Sequence, residues 1–149
     1  NFYEVFKPST VFKDRLEKAL SLAKKGDLSG FDNIYSFNKN GIARVKLNNK
    51  WNFIDVNGKL VSQQWFDHVY SFNEGGFARV ELNGRYNLIN TNGNFISRQW
   101  FDDIGNFENG IAMVRLNKKY NFIDTNGKLV SQQWFDSYDN AYDYLMKLQ

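Results

Sequence analysis

The sequence predicts an all-β repeat array: three tandem 34–35-residue units, each a three-stranded antiparallel meander, with an α-helix capping either end. Three observations carry that expectation. The stretch NFIDVNGKLVSQQWFD from Asn52 to Asp67 returns from Asn121 to Asp136 with only Val56 and Thr125 differing, and a looser copy, NLINTNGNFISRQWFD, runs from Asn87 to Asp102. The pairs Phe31-Asp32, Phe66-Asp67, Phe101-Asp102 and Phe135-Asp136 are 35, 35 and 34 residues apart, and Gly41, Gly76 and Gly110 keep the step. Asn57-Gly58, Asn92-Gly93 and Asn126-Gly127 stand between β-compatible runs, and Asn-Gly favours a tight hairpin because both residues tolerate positive φ.

Asn1 to Pro8 is aromatic-rich and ends at a proline that disfavours helix just before it. Ser9 or Thr10 can cap a helix from Val11 to about Lys25, whose apolar positions Val11, Phe12, Leu16, Leu20 and Ala23 fall near helical spacing and which Gly26 would stop. Residues 1–30 therefore read as a helical cap over the first repeat. Residues 31–136 hold the units 31–65, 66–100 and 101–134 and the start of a fourth at Phe135. Residues 137–149, with Ala141, Tyr144 and Leu145 at helical spacing, read as a second cap with a short helix from about Asn140. All of this is expected to pack as one domain.

In the first unit the strands are expected at about Ile42 to Leu47, Lys50 to Val56 and Lys59 to Gln63. The Asn-Gly turn is expected to be type I′, and the earlier turn is Asn48-Asn49, Asn83-Gly84 or Asn117-Lys118. Lys118 would bear a left-handed penalty, so that turn is expected to be a variant type or strained. Two-residue turns fix register: Leu47 opposite Lys50, Val45 opposite Asn52, Ala43 opposite Ile54, then Ile54 opposite Val61. One face then collects Ala43, Val45, Leu47, Ile54 and Val61; the other collects Arg44, Lys46, Trp51, Phe53, Leu60 and Ser62. A sheet apolar on both sides needs cover on both, supplied by neighbouring units and by linkers bearing Trp65, Phe66, Tyr70 and Phe72.

The order Phe-Asp, Phe-Asn-x-x-Gly, Ala-Arg-Val, Asn-x-Lys-Trp and Phe-Ile-Asp-x-Asn-Gly-Lys, recurring from Phe31 to Asp136, resembles the WG β-repeat family of bacteria and phages. The namesake pair differs: it is Trp51-Asn52, Tyr86-Asn87 and Tyr120-Asn121 here. The resemblance implies an all-β repeat domain, a binding or scaffolding role and no catalytic residues.

Composition narrows the function classes. Aromatics make up 17% of 149 residues, with one proline and no cysteine, which fits neither disorder nor a disulfide scaffold. The net charge of +3 leaves only +1 on residues 31–149, so no basic face for nucleic acid is expected. No apolar run reaches the roughly 18 residues of a spanning helix and no signal-peptide order opens the chain, so a cytoplasmic, membrane-free monomer is expected.

His68 is the sole histidine, and with no cysteine the commonest zinc ligands are missing. No catalytic residue, metal or cofactor is expected. Asp55 and Asp124 suit turn stabilisation better than calcium, since the twelve-residue loop spacing is absent. The recurrent Asp32, Asp67, Asp102 and Asp136 suit backbone N–H acceptance better than acid–base work.

The candidate ligand surface comprises Arg44, Lys46, Trp51, Arg79, Arg85, Tyr86, Arg115 and Tyr120, because cations beside aromatic faces suit sugars, nucleotides or acidic peptides. The competing reading buries those rings between units under basic stems. The expected function is a non-enzymatic module that binds a protein, glycan or small ligand. Three alternatives stand: a structural component of a phage particle or cell surface, a β-trefoil-like sugar binder suggested by Gln63-Gln64-Trp65 and Gln132-Gln133-Trp134, and an enzyme inhibitor or weakly marked enzyme using His68 and linker carboxylates.

Overall fold

The computed structural model describes residues 9–73 and 75–149, so the expectation for Asn1 to Pro8 lies outside the described residues. Ser9 caps helix α1 (Thr10–Ala23), its side chain accepting the Phe12 N–H. The helix ends where Gly26 turns left-handed, with its N–H donating to the Ala23 carbonyl and the Asp27 N–H to that of Leu22. Among the described residues nine strands follow in three separate sheets: β1 (Asn33–Ile34), β2 (Ile42–Leu47) and β3 (Lys50–Asp55); β4 (His68–Val69), β5 (Phe77–Leu82) and β6 (Arg85–Asn90); β7 (Asp103–Ile104), β8 (Ile111–Leu116) and β9 (Lys119–Asp124). Helix α2 (Tyr138–Lys147), capped by Ser137, follows the sheets and begins two residues earlier than its apolar spacing suggested. The architecture is the expected all-β repeat array with helical caps. Three independent sheets without a barrel overturn the trefoil alternative.

The β2–β3 register is the expected one, Leu47 against Lys50, Val45 against Asn52 and Ala43 against Ile54. Its cause is the earlier turn, where both central residues are left-handed: φ is 50° and 66° at Asn48-Asn49, 54° and 78° at Asn83-Gly84, and 52° and 67° at Asn117-Lys118. Lys118 thus adopts the strained conformation rather than a variant turn.

The third strand differs from expectation. It is the upstream segment Asn33–Ile34 that completes the sheet, while Lys59 to Gln63 contributes only a bridge between Leu60 and Ile54. The Asn-Gly turn is not type I′, because only Gly58 is left-handed. Asp55 Oδ1 collects the N–H groups of Asn57 and Lys59 at 2.9 Å each, and Gly58 N–H donates to the Asp55 carbonyl. That carboxylate favours a type I turn followed by a left-handed glycine, one loop residue longer. Asn90 and Asp124 do the same in the other units.

One extra residue flips the side chains beyond it. Leu60 therefore joins Ala43, Val45, Leu47 and Ile54 beneath α1, and Val61 joins Ile42 and Phe53 against the second unit.

The cores follow chain order: α1 with the first sheet, the first sheet with the second, the second with the third. The Phe-Asp segments tie them together. Phe66 exchanges two backbone bonds with Trp51 of the preceding sheet, at 2.8 and 2.9 Å, and the next residues pair with β5 of the following one. Asp67 then receives the Asn83 N–H at the tip of the next hairpin, as Asp32 receives that of Asn48 and Asp102 that of Asn117. Backbone acceptance is thus the common use of these aspartates up to the third unit.

The Asn-Gly glycine supplies the closest approach between neighbours. A Cβ on Gly93 would stand 2.1 Å from the Val61 carbonyl oxygen, and one on Gly58 would stand 2.7 Å from Lys24 N of the chain leaving α1.

Candidate functional site

The basic and aromatic residues of β2, β3 and their counterparts gather into two stacks. In the first unit the Arg44 guanidinium lies 4.0 Å from the ring centre of Tyr35, which stacks on Trp51 at 5.7 Å, with Lys46 Nζ 5.6 Å from Trp51. In the second, Arg79 lies 4.3 Å from Tyr70 and 5.5 Å from Tyr86. Burial first, and then Glu81, raises the Tyr86 phenol above its ordinary pKa. Arg79 also donates to the Ile104 carbonyl at 3.4 Å, while its Nε is buried without a hydrogen-bond partner. Tyr35 is 48% and Tyr70 37% exposed, so the platforms stay open to solvent although the cations above them are half-buried.

The other candidates do not join these stacks. Arg85 turns to Asp102, Nε to Oδ1 3.8 Å. Arg115 lies opposite Asp103 and Tyr120 in register, and Tyr120 meets Tyr138 of α2 edge-on at 6.4 Å. The third unit holds Gly105 and Met113 where the first two hold a tyrosine and an arginine. Sequence reading missed Tyr35 and Tyr70 as platforms; their signal was the 35-residue step between them.

A second periodic feature is an ion pair across each junction. Lys50 pairs with Asp67 at 2.5 Å, Arg85 with Asp102 and Lys119 with Asp136, always 17 residues apart, and Arg15 of α1 pairs with Asp32 at 2.6 Å over the same separation. Arg15, then Asn48 N–H, hold the Asp32 carboxyl below its ordinary pKa. For Asp67 burial pushes upward, but Lys50 and the Asn83 N–H outweigh it and the net shift is down.

The partner of Trp51, Tyr86 and Tyr120 in the family's namesake pair is a buried asparagine. Asn52 Nδ2 donates to the Ser62 carbonyl and Asn121 Nδ2 to that of Ser131, both at 2.8 Å, pinning the return loop to β3 and β9; Asn87 holds Ser97 likewise. A family model described as a WG containing repeat matches residues 30–51, 53–86 and 88–120, more than half of the chain. The chain belongs to the WG repeat family. The residues between the matched spans are Asn52 and Asn87, two of the three asparagines that stand in for the WG glycine. A comparison with curated proteins finds no match.

Other sequence candidates of this WG repeat chain serve the fold. Of the Gln-x-Trp tryptophans, Trp65 is 3% exposed and meets Phe12 at 5.2 Å, while Trp134 is half-buried and packs against the core of the second and third sheets. His68 is exposed on the edge strand β4. Among the described residues no three His, Cys, Asp or Glu side chains cluster to hold a metal, and no helix is long and apolar enough to cross a membrane.

Proposed function

We propose that this repeat module is a non-enzymatic binding domain that recognises an acidic segment of a partner protein along the Arg44 and Arg79 stacks. The supporting observation is that both guanidiniums rest on half-exposed rings and form no ion pair with a carboxylate among the described residues. A guanidinium on a ring keeps its outer N–H groups for an anion, and arginine matches carboxylates bidentately. A polypeptide fits better than a free small molecule. The cavity that includes Arg44 is about 40 Å³, against the roughly 300–1,000 Å³ of ligand pockets.

The test is calorimetric titration with an oligo-glutamate peptide at low and physiological salt. Binding should weaken as salt rises, and the Arg44→Ala, Arg79→Ala double variant should lose about tenfold or more in affinity, from two charge-assisted contacts. A double variant that binds as tightly as its parent would sink the reading.

A further inference from the structure

Each junction between sheets is filled by one phenylalanine set six residues after the Phe-Asp phenylalanine. Phe72 packs on Phe53, ring centres 4.8 Å apart, in the core shared by the first two sheets. Phe107 packs on Phe77 at 5.2 Å in the core shared by the second and third. At the third junction the corresponding residue is Ala141 of α2. Tyr138 of α2 covers Phe122, the counterpart of Phe53, at 6.0 Å, but Ile111 and Met113 stay half-buried. A cavity of about 370 Å³ opens between the third sheet and α2, with Ile111, Met113 and Phe122 on one wall and Tyr138, Tyr142 and Met146 on the other.

Two further differences shape it. Tyr35 and Tyr70 donate their backbone N–H to Arg44 and Arg79; the same bond runs from Gly105 to Met113, so neither a ring nor a cation closes the mouth. No Lys or Arg lines the cavity, while the exposed Glu108 does. The slot therefore offers aliphatic, aromatic and thioether side chains on two walls, with Asn106, Asn109, Gln149 and the Glu108 carboxylate as its polar lining.

We propose that this cleft is a second binding site, which takes the phenylalanine side chain of a partner peptide that carries a basic residue beside it. The ring occupies the place that Phe72 and Phe107 fill elsewhere, and the adjoining cation meets Glu108. Volume and lining suit an anchor side chain, since interface energy concentrates in apolar pockets filled by aromatic groups. The site stands apart from the Arg44 and Arg79 stacks and has the opposite charge preference.

The chain has only two methionines, Met113 and Met146, and both line the cleft. Methyl-¹³C-methionine spectra therefore report on this site directly. On titration with acetyl-Lys-Phe-Lys-amide both methyl signals should move and saturate. Acetyl-Lys-Ala-Lys-amide should leave them in place, and acetyl-Glu-Phe-Glu-amide should bind several-fold more weakly.

Gly105→Tyr restores the residue of the other two units; its Cβ would sit 3.9 Å from Met113, ordinary contact, so the fold should survive. It should weaken binding about tenfold or more. Glu108→Gln, an exposed change, should abolish the preference for the basic peptide while keeping that for the ring. The proposal is overturned by no methyl shift at millimolar peptide, by equal shifts with all three peptides, or by undiminished binding to Gly105→Tyr. Methyl shifts that instead track protein concentration without peptide would assign the slot to a second copy and overturn it as well.

Discussion

At its N-terminal end the array receives a helix whose backbone closely approaches its glycines, and at its C-terminal end a helix whose side chains pack beside β9. Helix α1 buries Phe12, Ala19 and Ala23, brings its Ala19 Cα to 2.7 Å from where a Gly30 Cβ would stand, and sets its last turn against Gly58. Arg15 takes the place that Lys50 and Arg85 hold at later junctions. Helix α2 lies beside β9, buries Ala141, and leaves Tyr138, Tyr142 and Met146 exposed around a cavity. The ion pair is present at both ends, Arg15–Asp32 and Lys119–Asp136, so a helix closes a repeat array where it reproduces the close backbone approach of a neighbouring repeat. Where it does not, the last repeat keeps an unfilled slot.

The strongest way to break that comparison is to block the N-terminal approach. In Gly58→Ala the new Cβ meets Lys24 N and the Ala23 carbonyl carbon at 2.7 and 2.8 Å, on a residue whose φ is already +79°. Gly110→Ala carries the same kind of backbone strain, φ +81°, with nothing within 4 Å. Urea unfolding should show a loss of about 3 kcal/mol or more for Gly58→Ala and about 1–2 kcal/mol for Gly110→Ala, the left-handed cost alone. Equal losses would mean that the close approach to α1 contributes nothing.

A smaller change sharpens the contrast within the array. Lys118 occupies at +67° the turn position where the second unit has Gly84 at +78°. Lys118→Gly should raise stability by about 1 kcal/mol, less the greater freedom glycine gives the unfolded chain, and Gly84→Lys should lower it by a similar amount. Thermal unfolding of the pair checks this. An unchanged midpoint in Lys118→Gly would show that the third hairpin carries no strain.

Repeat spacing, helix caps and the β2–β3 register were legible in the sequence because each rests on local chemistry: a 35-residue step, a serine before an amphipathic run, a two-residue turn. The Asn-Gly turn was misread for an equally local reason. Asp55, one residue before Val56-Asn57, supplies a side-chain acceptor that outweighs the hairpin preference of the pair behind it. That single residue moved Leu60 and Val61 to opposite faces. The candidate surface was legible in part. Arg44, Lys46 and Trp51 converge because they alternate along paired strands, whereas Tyr35 and Tyr70 reach them from just beyond β1 and β4, segments too short to show strand alternation. The C-terminal cleft was invisible from any one unit and appears only when Ala141, Gly105 and Met113 are set against their counterparts.

The smallest effect concerns the ion pair by which α1 imitates a repeat. Arg15 and the Asn48 N–H hold Asp32 below the ordinary aspartate pKa, about 3.9. A depressed pKa adds stability that is present above the unfolded value and lost as pH falls through the folded one. Both partners are more than a third exposed, so solvent and salt screen the pair and the contribution is small. In Arg15→Ala the Asp32 carboxyl, followed by ¹³C NMR, should titrate at higher pH than in the parent, returning only part of the way because Asn48 still donates its N–H at 2.8 Å. The stability difference between parent and variant should be present near neutral pH, shrink with added salt and vanish in acid once Asp32 is protonated in both. Lys119→Ala provides the C-terminal control, since Lys119 is the largest cause of the lowered pKa of Asp136. If Asp32 titrates unchanged in Arg15→Ala, the helix is held by its packing and close backbone approach without the ion pair, and the matching 17-residue separation is without energetic consequence.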